Sequence, residues 1–326
     1  MRYHDRIYGD FEIDQPVLLD LMQTRAMQRL HGVLQHGITG LIGITHPTSR
    51  FEHTLGVMGL VRRFGGTLEA QVAALLHDIS HTAFSHVIDY VVDNHDHQSY
   101  HEDKKVWFIA QSDVPAVLVR HGIDLETVVH EEDFALLEQP TPRLCADRLD
   151  YFLRDSVDLG LATLAQVHAA LDHLVVADGR IVTDNVAIAH WLAETYIAAD
   201  EKSWANFREV GVYEVTARAI RTALKLGAIT AADFWLTDEE LWRKLRDIGD
   251  GDWQQQLALI SPDTRFEWDD ASPTFRVSTK LRTIDPDVLM DGRLFPLSEL
   301  DTNFARRRAN YLIRNSGKRP MRVVRL

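Results

Sequence analysis

Residues 73–89 read AALLHDISHTAFSHVID: an apolar run that ends at His77-Asp78 and then carries His81, His86 and Asp89. Three histidines and two carboxylates within thirteen residues of an otherwise apolar segment are costly to bury unless they have a task. His77 and Asp78 offer a neutral nitrogen and a carboxylate side by side, donors that suit Zn, Fe, Mn or a similar ion. Positions three and four apart share a helix face, and the apolar character of 68–93 predicts a helix through the whole stretch. A His-Asp dipeptide on its own is a weak signal, so its meaning rests on what flanks it.

Upstream, Arg50-Phe51-Glu52-His53 starts a predicted helix after a loop punctuated by Gly37, Gly40, Gly43 and Pro47. An arginine at a helix N-terminus suits an anion such as phosphate; the plainer reading is a solvated Arg50 and a core His53. Downstream, CADRLDYFLRDSVD (145–158) places Asp147, Tyr151, Arg154 or Asp155, and Asp158 at helical spacing among apolar residues. Such a carboxylate stripe needs a metal, an arginine or a ligand hydroxyl as partner. The alternative is an internal salt-bridge helix in which Arg148 and Arg154 pair the acids.

Around this core, RIYGDFEID (6–14) reads as a hairpin about Gly9-Asp10, and 16–35 as helical with Thr24 as a cap partway along. The polar segment with His95, His97 and His101 reads as a loop leading into a helix. KVWFIAQ, TVVHEEDFALLEQ and 142–160 read as further helices. Asp178-Gly179 between β-branched runs marks a second hairpin. Residues 185–248 are again helical, and TFRVSTKLRTI and RPMRVVRL read as strands flanking a basic helix. The fold expected is mainly α with small β-hairpin additions at the N-terminus and in the C-terminal region. The division expected is a core of 1–184 and a helical extension, 185–326, packed on it.

With 326 residues, 45 % apolar and 25 % charged, the chain has the balance of a globular protein with a sizeable core. Its one cysteine, Cys145, excludes an internal disulfide and a Cys-based zinc cage. That usage, with no apolar leader and no run long enough to span a membrane, points to the cytoplasm. A net charge of −13 argues against nucleic-acid binding. From Phe304 onward there are eight Lys/Arg and no Asp/Glu, leaving −21 on the rest. A basic tail on an acidic body suggests docking between subunits, and hence a homo-oligomer.

In this order and spacing, RFEHTLGV, ALLHDISHTAFSH and DRLDYFLRD resemble the successive signatures of the HD-domain superfamily. QTRAMQRLHGVLQHG resembles the preceding helix of its deoxynucleoside triphosphate triphosphohydrolase branch, that of the sterile-alpha-motif and HD-domain enzymes. The resemblance covers about residues 5–160 and implies an HD-domain helical bundle. It implies His53, His77, Asp78 and Asp147 as ligands of a divalent ion (Mn, Fe, Ni, Zn or Mg), with Asp147 rather than Asp150 as the matching carboxylate. It places Arg50, His81 and His101 at phosphate contacts, and His86 with Asp89 as the pair that protonates the leaving group. Gln35, Tyr151 and Asp155 fall at sugar contacts, and Arg148 stands where a phosphate-binding lysine is found. His36 follows Gln35 where the vertebrate enzyme has a leucine, and ITHPTSRFEH replaces a Pro-Gly-Ala loop. The activity implied is hydrolysis of (deoxy)nucleoside triphosphates to nucleoside and triphosphate, with His86 kept cationic by Asp89. Phosphomonoester hydrolysis on nucleotides or other small esters, and a ligand-sensing metal site in a regulatory protein, are the competing readings.

Overall fold

The computed structural model describes residues 1–94, 96–249, 251–278 and 280–324, so His95 lies outside it. Three helices form the frame: Arg50–Arg63, Leu68–Leu76 and Ala146–Asp158. The first starts abruptly because Ser49 and Glu52 close a reciprocal capping box. The second is capped by Thr67, whose side chain accepts from the Ala70 N–H. Thr24 caps Arg25–Arg29 in the same way. These helices bury their apolar faces in one core with Pro16–Met22 and Val186–Ala199. A second core gathers residues 83–91, the helices Phe207–Lys225 and Asp238–Arg246, and a small sheet. Both cores draw residues from either side of 184.

Three small sheets decorate the bundle. Arg2–Asp5 pairs with Gly9–Glu12, so the turn lies at 6–8, earlier than the Gly9-Asp10 centre read from the sequence. Leu174–Ala177 and Arg180–Thr183 form the expected hairpin, with Asp178 and Gly179 at φ 49° and 71°, the pair of positive angles a tight hairpin turn requires. This hairpin extends through a parallel pairing of Thr183 with Val288 into a second one, Asp287–Met290 with Arg293–Pro296, which the sequence pattern did not mark. In the third sheet the C-terminal strand Arg319–Val324 is central, between Arg265–Trp268 and Phe275–Val277. Among the described residues of TFRVSTKLRTI, Phe275–Val277 is strand. The basic helix Thr302–Asn315 buries Phe304 and Tyr311 against its own chain.

Two predicted helices do not form as read. The helix begun at Leu68 ends at Leu76, and 77–86 runs as successive turns before a short helix at Val87–Val91. Its backbone groups find distant partners instead: the Ala83 N–H donates to the Phe234 carbonyl at 2.8 Å and the Phe84 N–H to Asp238 Oδ1 at 2.7 Å. Phe84 and Ser85 sit at positive φ, conformations that tertiary bonds must hold because neither residue favours them. TVVHEEDFALLEQ likewise yields only Leu125–Val128 and a 3-10 turn at Glu131–Asp133.

Candidate active site

Each frame helix delivers one part of the site. The capping box sets Arg50 and His53 in the first turn of Arg50–Arg63. His77 and Asp78 follow the last residue of Leu68–Leu76, and Asp147 lies in the first turn of Ala146–Asp158. His53 Nε2 is 3.0 Å from Asp147 Oδ1 and 3.3 Å from His77 Nε2. His77 Nε2 is 3.5 Å from Asp147 Oδ1, and Asp78 Oδ2 is 3.5 and 3.7 Å from the two imidazole nitrogens. An ion bound at about 2.0–2.2 Å from such donors holds adjacent ones roughly 3–3.5 Å apart, so the set fits a divalent metal.

The far side of each imidazole is fixed. His77 Nδ1 donates to the Ala74 carbonyl at 2.7 Å, and His53 Nδ1 lies 2.7 Å from Asp150 Oδ2. Each bond selects the tautomer that leaves Nε2 free for a metal. Asp150 is completed by the buried Arg154 at 2.8 and 3.0 Å, which also reaches Asp5 at 2.5 Å. Asp150 therefore stands behind His53 and not among the converging donors. Of the two readings of this helix, the 147/151/155 face turns to the cavity, while the 150/154 pair is an internal salt bridge. Gly56 makes that pair possible, since a Cβ there would lie 2.0 Å from Asp150 Oδ1 and 2.1 Å from Arg154 Nη2.

These residues line a cavity of about 400 Å³. Arg50 is buried, not solvated; it donates to Asp78 Oδ2 at 2.5 Å, to Ser85 Oγ at 3.0 Å and to the Gln35 carbonyl at 3.3 Å. His81 and His101 stack at 3.7 Å, and His86 stands 5.1 and 5.6 Å from them. His81 reaches this cluster from a turn, not from the helix face expected. Among the described residues the buried His81 Nδ1 and Gln35 Oε1 have no hydrogen-bond partner. His86 Nδ1 is 3.1 Å from Asp89 Oδ2, while Asp89 Oδ1 accepts from the Tyr100 N–H at 3.0 Å.

The electrostatics correct one expectation. Burial, and then the cations Arg50, Arg282 and Lys280, push the His86 pKa well below the imidazole range. Burial also raises Asp89 to about 6. Asp89 thus orients His86 but does not keep it charged in the free site. His81 is pushed down to about 3 by burial and Arg50. Burial, then His81 and His86, lower His101 as well.

At the other end of the cavity the polar groups already hold one another. Asp155 takes His36 Nε2 at 3.0 Å and the Trp204 indole N–H at 2.6 Å. His36 Nδ1 lies 3.5 Å from Glu209 Oε2. Burial disfavours a charged His36, but Asp155 and Glu209 outweigh it and raise the ring to about 10. The Tyr151 hydroxyl bonds the Tyr196 hydroxyl. Arg148 lines the cavity, yet its guanidinium is spent on Glu138 at 3.2 Å and on the Gln139 and Arg143 carbonyls.

Sequence reasoning missed Glu209, Trp204, Lys280 and Arg282, which also line the cavity. Lys280 and Arg282 alternate in a stretch read as a strand, the one available hint. Asp238 was missed as well: its buried carboxylate accepts the Leu34 N–H at 2.9 Å and the Phe84 N–H at 2.7 Å, tying together the two loops that carry Gln35 and His86.

The HD domain family matches residues 50–155. The chain is 37% identical over 318 residues to the metal-dependent phosphohydrolase cns2 of Cordyceps militaris, covering 95% of this chain and 91% of that protein. A more distant relative, 23% identical over 55% of this chain and 40% of its own length, is a deoxynucleoside triphosphate triphosphohydrolase SAMHD1 homolog of Dictyostelium discoideum. The crystal structure of a phosphohydrolase from Bacteroides thetaiotaomicron shares the fold over the full length of both chains, with a TM-score of 0.74 at 18% identity. Among the described residues no helix is long and apolar enough to cross a membrane.

Proposed function

Because this chain belongs to the HD-domain metal-dependent phosphohydrolases, we propose that it hydrolyses a phosphate monoester of a small nucleotide-like substrate. The observation that carries this reading is one cavity holding both the His53–His77–Asp147 donor set, with Asp78 beside it, and the His81–His86–His101 cluster. A divalent ion on the donor set would lower the pKa of a bound water and neutralise charge developing on phosphorus. Arg50, fixed by Asp78 and Ser85, presents its guanidinium to the phosphate oxygens, and His81 and His101 flank it. His86 delivers the proton to the departing oxygen, with Asp89 holding its Nδ1. A phosphate anion entering the cavity brings the negative charge that His86 lacks in the free site, so the donor form is gained on binding.

Hydrolysis of deoxynucleoside triphosphates is the second reading. Lys280 and Arg282 add two cations for a longer phosphate chain, and the Dictyostelium relative carries that activity in its name. Against it, Asp155, placed by resemblance at a sugar contact, already holds His36 and the Trp204 indole. Product analysis separates the two. Incubation with nucleoside monophosphates should release nucleoside and orthophosphate, with triphosphates left intact; release of tripolyphosphate from the triphosphates would favour the triphosphohydrolase instead. A His77→Ala/Asp78→Ala variant should be inactive throughout. If wild type turns over nothing on the panel, the ligand-sensing reading takes precedence. His86→Ala should lower kcat by about 10²–10⁴-fold with metal retained. An unchanged kcat would make His86 a packing residue.

A further inference from the structure

A second cavity, of about 370 Å³, lies between the end of Val186–Ala199 and the basic helix Thr302–Asn315. Ile197 and Glu201 line one wall. The other carries Arg306, Arg307 and Arg314 with Asn303, Asn310 and Asn315. Three cations of the basic segment are neutralised within their own chain: Arg307 pairs with Glu194, Arg308 approaches Asp285 at 3.8 Å, and Arg322 meets Glu267 and Asp269 at 2.9 and 3.0 Å. Arg306 and Arg314 have no ion pair or hydrogen bond among the described residues, and both face the groove. Glu201 is the one acidic side chain lining it. On a protein of net charge −13, the groove is a local inversion of sign.

Its shape limits the ligand. Arg306, Asn310 and Arg314 fall at i, i+4 and i+8 on one helix face, a row about 12 Å long at 1.5 Å per residue. Phosphates in line can engage the two guanidinium groups of such a row separately, which a lone phosphate does only if both side chains bend toward it. Guanidinium forks match phosphate oxygens two at a time, and the neutral amides of Asn303 and Asn310 add donors between them.

We propose that this groove binds a small linear polyphosphate-bearing anion at a site separate from the metal centre. The two cavities share a wall. The segment Asp200–Trp204 joins them, with Glu201 facing the groove and Trp204 the active cavity. Tyr311, which lines the groove, donates to Asp200 Oδ2 at 2.7 Å, and the same oxygen accepts the Arg282 N–H at 3.0 Å. A ligand seated on Tyr311 thus rests one residue from a cation of the active cavity.

The test is calorimetric titration of the full-length protein with inorganic tripolyphosphate and, in parallel, orthophosphate. His77→Ala/Lys280→Ala/Arg282→Ala protein removes the metal centre and two of the cavity's cations as a competing site, so the result stands apart from the phosphohydrolase reading. That protein should still bind tripolyphosphate at one site per chain, at least tenfold tighter than orthophosphate. Arg306→Ala/Arg314→Ala in the same background should abolish the binding. Arg306→Lys/Arg314→Lys should retain charge but lose the fork, weakening it severalfold. Binding that survives the alanine pair, or orthophosphate binding as tightly as tripolyphosphate, overturns the proposal. A change in the mass of the alanine variant by light scattering, with tripolyphosphate binding unaltered, would make this face a subunit contact and overturn it as well.

Discussion

Two of the cavity's buried histidines, His53 and His36, are each set between two carboxylates and differ in what else reaches them. His53 has Asp150 at 2.7 Å and Asp147 at 3.0 Å, and its pKa rises to about 9 as those bonds outweigh burial. His36 has Asp155 at 3.0 Å and Glu209 at 3.5 Å, and rises to about 10 against the same penalty. By pairing and by charge the two look alike. Around His53, however, His77 Nε2 and Asp78 Oδ2 converge on the side that Asp147 occupies, at 3.3 and 3.5 Å. Around His36 the added donors, Trp204 and Thr39, satisfy the carboxylates. One imidazole belongs to a nest of lone pairs that a cation would complete. The other is itself the cation that completes its nest. Carboxylate neighbours alone do not mark a metal ligand; a third and fourth donor on the same side do.

The sharpest way to break this contrast is Asp147→Ala. Bound metal, measured by elemental analysis, should fall from about one ion per chain to background, and hydrolysis with it. Unchanged metal content would remove the distinction between the two pockets. Asp150→Ala should act less completely. It frees His53 Nδ1 and leaves Arg154 with the Asp5 carboxylate and the Glu52 carbonyl, so metal affinity should drop about 10–100-fold. Denaturant unfolding should show a loss of up to about 3–5 kcal/mol from the weakened buried pair. A variant with wild-type affinity and stability would show that the bond behind His53 does not position it.

Chelation should separate the two pockets in the intact protein. Removing an ion held at a hundred times its dissociation constant costs about 2.7 kcal/mol of stability. Wild type should lose that amount and Asp147→Ala should lose none. His36→Gln should produce the smallest change, about 1–3 kcal/mol from hydrogen bonds to charged groups, with full metal content. Its sign with pH follows from the raised ring. The contribution of His36 is complete below its ordinary value of 6.5 and is lost as pH rises through about 10. The stability gap between wild type and His36→Gln should therefore narrow across that interval. A constant gap would mean that His36 is held by shape and not by charge.

The converging donors were legible because their chemistry is conspicuous where they stand. His77-Asp78 ends an apolar helix, and Asp147 opens a helix whose other faces are apolar. Thr24 announced a cap and Asp178-Gly179 marked its hairpin, whereas the equally local capping box of Ser49 with Glu52 went unread. What stayed hidden is long-range. No glycine or proline interrupts 77–86, so nothing local says that the chain leaves the helix there; Phe234 and Asp238, far along the sequence, hold it open. The His36–Glu209 and Asp155–Trp204 bonds join segments whose adjacency no periodicity encodes. Lys280 and Arg282 reach the cavity from a segment that, among the described residues, belongs to no helix or strand.

Gly56 has no functional group, yet it has no room to vary. Any side chain there would meet the carboxylate that steadies His53. In a survey of missense changes, codon 56 should therefore behave like a ligand codon, intolerant even of alanine, although the residue touches neither ion nor substrate. A scan that weighs positions by their chemistry would pass over it; one that weighs them by free volume would rank it beside His53.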